Sequence, residues 1–356
     1  MRQKIKDGWE ERVGLKELIR TKLKEYKVPK GVNIFYTLGI VTLLAYMVQA
    51  VSGYFLLIYY IPHPDYAFKS IQDMMNIVPF GWFPRMIHIV VSNLMVVVII
   101  LHLVSIFVML SYKKPRELTW VAGVCLLFIT LIFCLSGYLL PWSQRSFWAT
   151  TIVTNIPTAF PVIGEYIANV LRGGDNVSGI TLSRFFALHI AFLPPIFLSI
   201  VGFHMFLVRR LGLSTPPFSA SGESLSKPND GYPFYPYFFL KQVFMIMVFF
   251  TVVFFMITFM PTLFLPEAAN TPADPLKTPL RIKPEWYFLA PYQMFKIIPN
   301  KFFGISLQIL LAVIFLFWPF VDTKEEKNIL KRPLLIVLLI IVLTAWAVLT
   351  LWGRYS

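Results

Sequence analysis

The chain has 356 residues, of which 57% are hydrophobic, and its mean hydropathy is +0.68. This composition excludes an ordinary soluble domain, because apolar runs of roughly twenty residues are typical of transmembrane helices. The net charge of +14 would suit a nucleic-acid partner, but Lys and Arg are concentrated before the first apolar run and in alternate loops. That distribution follows the positive-inside rule, so we expect a membrane protein and no nucleic-acid partner.

The apolar runs predict an all-α integral membrane protein with about seven transmembrane helices. They cover approximately residues 34–60, 84–111, 119–140, 180–208, 238–260, 303–321 and 333–352. The basic residues place the N-terminus on the cytoplasmic (n) side and the C-terminus on the outer (p) side. The first run is too long, and the residues before it are too charged, for a cleavable signal peptide.

Composition also predicts the organisation of the chain into modules. Residues 1–33 form a basic n-side arm, and residues 34–212 form a module of four membrane helices. A polar linker rich in Ser, Pro and Gly, residues 213–237, leads to a three-helix module over residues 238–356. That module contains a long p-side loop, 261–301. In the first module, the p-side segment 141–179 predicts short helices at the membrane surface.

Four of the five histidines lie inside two of these runs. His88 and His102 are fourteen residues apart, and His189 and His204 are fifteen apart. A buried histidine in a membrane is costly without a partner. Fourteen residues of helix span roughly 21 Å, so each run carries one histidine near the p side and one near the n side.

We therefore predict that His88 pairs with His189 and His102 with His204, each pair holding one haem iron. The prediction is therefore a four-helix bundle that holds two non-covalent b haems. Two histidines leave the iron no open coordination position, which is typical of electron transfer. Fifteen residues overshoot four turns by about 60°, and a kink at Pro194–Pro195 is expected to re-phase the helix. The alternative for any single membrane histidine is a helix–helix hydrogen bond. The fifth histidine, His63, is interpreted as a loop residue without a functional role.

Four glycines repeat the same spacing on the other two helices of the bundle. Gly39 and Gly53 are fourteen residues apart, as are Gly123 and Gly137. Glycine allows a flat group to approach the backbone closely, so each predicted haem lies against two of them. Helix packing is the alternative role of a single membrane glycine.

Two arginines and two cysteines complete the set of unusual residues in the bundle. Arg85 and Arg184 lie at the p-side ends of the histidine helices, where they either pair with haem propionates or snorkel to the interface. Cys125 and Cys134 are too few for a disulfide frame or zinc site and are interpreted as small core residues.

With these features the chain resembles cytochrome b of the bc and b6f quinol oxidoreductase complexes. The histidine and glycine frame is similar, as are the segments Lys113–Trp120 (KKPRELTW) and Gly137–Trp142 (GYLLPW). The fifteen-residue spacing, the segment Asn33–Tyr36 and the ending after a seventh span resemble the b6 form. In that form the second module is a separate subunit IV, whereas here both parts form one chain.

The most specific short motif is Pro284-Glu285-Trp286-Tyr287, in the loop that charge places on the p side. The resemblance implies that it lines the quinol oxidation site, with Glu285 accepting a proton and Tyr287 supplying a hydrogen bond. A carboxylate in an apolar pocket has a raised pKa, which suits that role. The resemblance gives the opposite wall, and a docking surface for an iron–sulfur partner, to Gln144, Ser146, Phe147 and Trp148. Without it, the motif would be a Pro-rich loop with an interfacial Trp and Tyr.

Two n-side positions, Thr37 and Arg209, bear on how far the likeness to the b6 form extends. Thr37 replaces the cysteine that links an extra n-side haem in the b6 form, so no covalent third haem is expected, and a non-covalent one is left open. Arg209, five residues beyond His204, is the candidate for holding an n-side quinone or a haem propionate.

The resemblance implies the cytochrome b subunit of a quinol:cytochrome c, or similar, oxidoreductase in a bacterial cytoplasmic membrane. Quinol is oxidised on the p side, electrons cross through two b haems to an n-side quinone, and protons are translocated. The implied partners are a Rieske-type iron–sulfur protein, a c-type cytochrome, quinol, membrane lipid and a second copy of the complex. The alternatives are a di-haem membrane anchor of a dehydrogenase or hydrogenase, and a seven-helix receptor or transporter without a cofactor.

Overall fold

The structure is a computed structural model that describes residues 26–216, 231–279 and 283–356. Most of the predicted basic arm (1–33) and the middle of the predicted linker (213–237) lie outside these ranges. Within them the chain is helical apart from two short antiparallel strands, β1 (Lys27–Pro29) and β2 (Gly231–Pro233). The predicted all-α fold is therefore confirmed.

The N-terminal half contains four long apolar helices and several shorter ones. Its helices are α1 (Leu38–Tyr59), α2 (Ala67–Asn76), α3 (Trp82–Val108), α4 (Glu117–Leu139), α5 (Gln144–Asn155), α6 (Gly164–Arg172), α7 (Gly179–Ala187) and α8 (Leu193–Leu211). α1 packs along α3, and α4 packs along α8. The short helices α5 and α6 fall in the segment 141–179, where the sequence predicts short helices.

The C-terminal half supplies the remaining helices. They are α9 (Phe239–Phe259), α10 (Pro261–Phe264), α11 (Trp286–Ile297), α12 (Lys301–Leu316), α13 (Trp318–Val321) and α14 (Pro333–Tyr355). α9 packs on α1 and α3, α12 packs on α4, and α11 packs against α14. The two halves thus share one apolar core, in which residues of α9 and α14 join those of α1, α3 and α4.

In the described residues, six helical segments are long and apolar enough to cross a membrane, and α12 is a shorter apolar helix. The sixth predicted span, 303–321, is interrupted after Leu316, and a new turn begins at Trp318. Pro319 explains the break, because proline has no N–H for the helical ladder and its ring clashes with the preceding turn. The chain is an integral membrane protein with six full-length spans and one shortened helix.

A π-helical turn, Leu188–Phe192, joins α7 to α8 and carries His189. The N–H of Leu193 donates to the carbonyl of Leu188, five residues earlier. Pro194 follows at once and lacks the N–H that would close the next α-helical bond. A π turn holds one residue more than an α turn, so it absorbs the extra residue of the fifteen-residue spacing. The re-phasing expected at the two prolines therefore occurs one turn earlier.

A buried ionic cluster connects the two halves at the loop between α3 and α4. The Asp322 carboxylate lies 2.6 Å from Lys113 Nζ and accepts two hydrogen bonds from Arg332, at 2.5 and 2.8 Å. The hydroxyl of Tyr112 donates to the same carboxylate at 2.6 Å. Lys113 also donates to the backbone carbonyls of Asp322 and Lys324. Two residues of the N-terminal half thus hold the segment that leads from α13 to α14.

Candidate functional site

The first histidine pair joins α3 to the π turn. The ring centroids of His88 and His189 are 6.5 Å apart, and the two planes make an angle of 69°. Each ring is held by a serine of the neighbouring helix: Ser52 Oγ lies 2.9 Å from His88 Nδ1, and Ser136 Oγ lies 3.0 Å from His189 Nδ1. The structure thus brings together the two histidines that the sequence analysis assigned to the p side.

The serine contacts determine which ring nitrogen carries the proton. Ser52 donates its hydroxyl hydrogen to the carbonyl of Val48 at 2.7 Å, and Ser136 donates to the carbonyl of Phe133 at 3.1 Å. Each serine oxygen therefore accepts a hydrogen bond from the imidazole Nδ1–H. This leaves the Nε2 lone pair of both rings free for a metal, which is the usual arrangement of a metal-binding histidine.

The second pair lies farther along the same two helices. His102 on α3 is within electrostatic range of His204 on α8. The Nδ1 atoms of both rings are buried and have no hydrogen-bond partner among the described residues. A buried ring nitrogen without a partner is costly, so this pair differs from the first, whose Nδ1 atoms are held by serines.

Each of the four glycines faces the edge of one histidine ring. A Cβ atom placed at Gly39 would lie 3.3 Å from His102 Cε1, and one at Gly53 would lie 3.3 Å from His88 Cε1. The corresponding distances are 3.3 Å from Gly123 to His204 and 2.7 Å from Gly137 to His189. The depth assignments of the sequence analysis correspond to these contacts, because two glycines adjoin each histidine pair.

The arginines of the bundle occupy different environments. Arg85 is 6% exposed, and in the described part of the chain it has no hydrogen-bond or ion-pair partner. Arg184 is exposed and donates to the carbonyl of Val170. Arg209 is exposed, with its guanidinium 5.9 Å from the ring of Tyr26. Of the three predicted propionate or quinone contacts, Arg85 is the one whose buried charge lacks a partner.

Arg116, in the KKPRELTW segment, is a further cation and stands at the start of α4. Its Nη2 donates to the carbonyl of Leu211 at 3.3 Å, while its Nε is buried without a partner. The hydroxyl of the nearby Tyr36 is also buried, and neither it nor that Nε has a hydrogen-bond partner in the part of the chain that the structure describes. Thr37, the residue that replaces the b6-type cysteine, is fully buried and donates its hydroxyl hydrogen to the carbonyl of Ile34 at 2.6 Å.

The Pro284–Tyr287 motif forms the start of α11. The indole N–H of Trp286 donates to Asn93 Oδ1 of α3 at 3.0 Å, which anchors the motif to the four-helix module. Tyr287 is buried and interacts with the thiol of Cys134 on α4. Burial raises the pKa of Tyr287 well above its ordinary value, so its hydroxyl stays protonated and able to donate.

A cavity of about 240 Å³ opens beside this motif, between α4, α5, α11 and α12. Pro284, Phe288 and Tyr292 line one wall, and Leu135 and Ala149 line the other. Glu285 is not itself a lining residue, but it directly follows Pro284, which is, so its backbone stands at the rim of the cavity. A larger cavity of about 640 Å³ lies between α1, α2 and α3, but its lining contains no charged side chain. The smaller cavity is therefore the one that combines apolar walls with a nearby titratable group.

Glu285 lies in an ion pair that the sequence analysis did not foresee. Its Oε1 is 3.3 Å from Nη2 of Arg145 on α5, and the side chains are 20% and 22% exposed. Burial raises the pKa of Glu285 above its ordinary value, while Arg145 and, at greater distance, Arg354 oppose that rise. Burial thus favours the neutral carboxyl group, and the charge of Arg145 favours the ionised one.

The predicted opposite wall is attached directly to the loop 261–301. Gln144 accepts a hydrogen bond from Asp274 N at 2.7 Å and donates to the carbonyl of Lys277. The indole of Trp148 donates to the carbonyl of Asp274 at 3.3 Å. Ser146 instead completes the capping box at the start of α5, and Phe147 packs in a buried cluster. Gln144 and Trp148 contact the loop, whereas Ser146 and Phe147 support α5 from within.

The fold and these pairs define a class: a membrane helix bundle with two histidine pairs at two depths and a cavity beside a buried carboxyl group. Two family models match the chain, "Cytochrome b/b6/petB" over residues 23–212 and "Cytochrome b(C-terminal)/b6/petD" over residues 272–356. The chain belongs to the cytochrome b family, whose members form the catalytic core of quinol oxidoreductase complexes.

Individual relatives agree with this assignment. Cytochrome b of Rickettsia conorii is 34% identical over 309 residues, which are 87% of this chain and 76% of the relative. Cytochrome b of Rhodospirillum rubrum is 33% identical over 325 residues, 91% of this chain and 79% of that one. A solved structure described as a hyperthermophilic respiratory Complex III is 36% identical to this chain, with a TM-score of 0.91. The match covers 98% of this chain and 91% of the chain in that structure. The resemblance to cytochrome b is thereby confirmed, and the anchor and receptor alternatives are not favoured.

Proposed function

We propose that His88 and His189 hold one b haem, and that His102 and His204 hold a second one nearer the n side. The observation that carries this proposal is the orientation of His88 and His189, whose Nδ1–H groups bond to Ser52 and Ser136 and leave both Nε2 atoms free. Gly39 and Gly123, which adjoin the rings of His102 and His204 as Gly53 and Gly137 adjoin those of the first pair, support the same assignment for the second pair. Haem bound at these positions would supply one-electron redox chemistry.

The chain's own residues set the conditions for that chemistry. The four glycines leave the ring edges uncovered, so that a flat macrocycle can lie against the backbone. Arg85 offers a buried, unpaired guanidinium that suits a propionate carboxylate. On the n side, the candidates for binding a propionate are Arg116 and Arg209. Arg116 has a buried Nε without a partner among the described residues, and Arg209 is exposed. Thr37 has its hydroxyl satisfied within the chain, and we propose no covalent third haem there.

We propose that quinol binds in the 240 Å³ cavity beside Pro284 and is oxidised there. Glu285 at its rim takes the proton, because partial burial raises the pKa of its carboxyl group above the ordinary value and so strengthens it as a base. The protonated Tyr287 donates a hydrogen bond and remains neutral. Trp286, anchored to Asn93, fixes the motif against the helix that carries His88.

The same proposal extends to the partner proteins and to the membrane in which the complex lies. The p-side surface formed by Gln144, Trp148 and the loop at Asp274 would receive a Rieske-type iron–sulfur protein. A c-type cytochrome, or a similar acceptor, would complete the complex, which we propose to be dimeric. An n-side quinone near Arg209 would be the second acceptor. The distribution of Lys and Arg supports a bacterial cytoplasmic membrane with the N-terminus inside.

An oxidant pulse tests this function directly. In the complex with its iron–sulfur partner, under quinol and an n-side inhibitor, we expect the b-haem absorption band to become more reduced as the iron–sulfur centre is oxidised. The reduced-minus-oxidised spectrum first establishes whether b haem is present at all. A preparation that contains b haem but shows no such oxidant-induced reduction would show that quinol oxidation does not divide its electrons between two acceptors.

Replacement of Ser136 by alanine is expected to weaken the hold on the p-side haem by about tenfold and leave the n-side haem unchanged. The alanine removes the oxygen that accepts from His189 Nδ1–H and orients the ring. The measurement is the rate at which each haem is lost to a competing apoprotein. Ser105→Ala is the matched control, because Ser105 bonds the backbone carbonyl of His102 rather than a ring. Equal loss of both haems in Ser136→Ala would contradict the expectation.

A further inference from the structure

Arg145 occupies a position that its own helix does not favour. It is the second residue of α5, where the helix dipole disfavours a positive charge. The capping of α5 is already provided by Ser143 and Ser146. Glu285 is likewise the N-cap residue of α11, yet its side chain makes no capping hydrogen bond. The side chains of Arg145 and Glu285 are instead directed to each other, at 3.3 Å.

The surroundings of Glu285 single out Arg145 as its direct charge partner. The other titratable groups facing Glu285 are Tyr138 and Cys134 of α4, Tyr287 of α11 and Arg354 of α14. Among the described residues Arg145 alone is within ion-pair distance of the carboxylate. Its guanidinium also lies 5.7 Å from the ring of Tyr138, which restricts the directions it can take.

We propose that Arg145 is a positioning residue of quinol oxidation, which holds the Glu285 carboxylate ionised and in one orientation until that carboxylate takes a proton. The inference rests on the proposed function of the cavity. An ionised carboxylate at the rim can accept a proton at once, whereas a buried carboxyl group without a partner would already carry one.

The proton step also explains how the contact is released. One O–H bond of the quinol breaks, its electron pair stays on the quinol oxygen, and a new O–H bond forms on Glu285. The neutral carboxyl group no longer attracts the guanidinium of Arg145 as an ion, so the 3.3 Å contact loses its main stabilisation. Glu285 is then free to turn from Arg145 and pass its proton to water. Arg145 itself exchanges no proton in this sequence.

The test is the pH dependence of quinol oxidation by the whole complex. Arg145→Gln removes the charge, and we expect the acid limb of kcat/KM to move to higher pH by about one to three units, since loss of a close opposite charge raises a carboxyl pKa by that amount. Arg145→Lys keeps the charge, and its limb should move less. Lys69→Gln, which removes a p-side cation on α2, is the matched control and should leave the limb in place.

The outcomes separate this inference from the function on which it rests. If Arg145→Gln lowers kcat/KM equally at all pH values while its acid limb stays in place, Arg145 is a structural residue and the inference fails. If Glu285→Gln keeps the wild-type rate and pH profile, the proposed role of Glu285 fails first. The double variant Arg145→Gln/Glu285→Gln should show no shift beyond that of Glu285→Gln, because the two residues act as one unit. If the Arg145→Gln complex fails to assemble, the loss of its b-haem spectrum reveals it. In that case Arg145→Met is measured instead, and an acid limb at the wild-type pH in that variant would also overturn the inference.

Discussion

Gly137→Ala is expected to remove the haem that we propose for His88 and His189 and to abolish most quinol oxidation, while the haem proposed for His102 and His204 stays bound. A Cβ atom at this position would lie 2.7 Å from Cε1 of His189, a distance that real Cβ atoms do not show. The ring cannot move away freely, because Ser136 holds its Nδ1 and the π turn fixes its backbone. Displacement of a ligand by about 1 Å costs on the order of a hundredfold in activity.

The measurement is the haem content per chain, resolved by the potentials and spectra of the two haems, together with quinol oxidation by the assembled complex. The expected content falls from two haems to one. Gly202→Ala on α8 is the matched control, since a Cβ there meets nothing within 4 Å. Gly53→Ala should be milder than Gly137→Ala, because its Cβ would lie 3.3 Å from His88 Cε1. Retention of both haems in Gly137→Ala would show that the backbone there does not limit the p-side site.

The histidine pairs could be predicted from the sequence because helix geometry converts spacing into depth. His88 and His102 share α3, so their separation is fixed by the rise of one regular helix. It was harder to predict that His189 and His204 face the same side, because their fifteen-residue spacing is one residue longer than that of His88 and His102. The π turn that absorbs it cannot be derived from the two prolines alone, since proline is compatible with a kink, a break or a π turn.

Partners that come from distant parts of the chain were missed. Ser52 and Ser136 look like ordinary membrane-helix serines, but each directly precedes one of the four glycines, Gly53 or Gly137. That repeated Ser-Gly pair was a signal that could have found them. Asn93 lies 193 positions from Trp286, and Arg145 lies far from Glu285. One signal was present for Arg145, because a cation in the first turn of a helix opposes the dipole and invites a search for another role.

The C-terminal half shows a different limit. Hydropathy treated residues 303–321 as one span, but averaging over a window hides the effect of Pro319 on the helical hydrogen bonds. Asp322, immediately after this break, was not singled out from the sequence at all. Its importance arises from the fold, which brings it against the KKPRELTW segment more than two hundred positions earlier.

Asp322→Ala is expected to lower the free energy of unfolding by about 3–5 kcal/mol, because it leaves two buried cations without their anion. The side chain of Asp322 is 4% exposed, and those of Lys113 and Arg332 are 7% and 10% exposed. Exposed ion pairs contribute at most about 1 kcal/mol, so Glu326→Ala, which removes the exposed pair with Lys331, should have little effect. Denaturant titration of the purified protein compares the two variants.

The pH dependence of this loss has a definite sign. Burial alone would raise the pKa of Asp322, but hydrogen bonds from Arg332, Lys113 and Tyr112 outweigh it and hold the pKa below its ordinary value. A depressed folded-state pKa contributes stability that is complete above the unfolded value of about 4 and is lost as the pH falls through the folded value. The difference between wild type and Asp322→Ala should therefore stay constant from neutral pH down to about pH 5 and shrink only below about pH 4. A difference that already disappears near pH 6 would mean that Asp322 is not the anion that holds the two halves together.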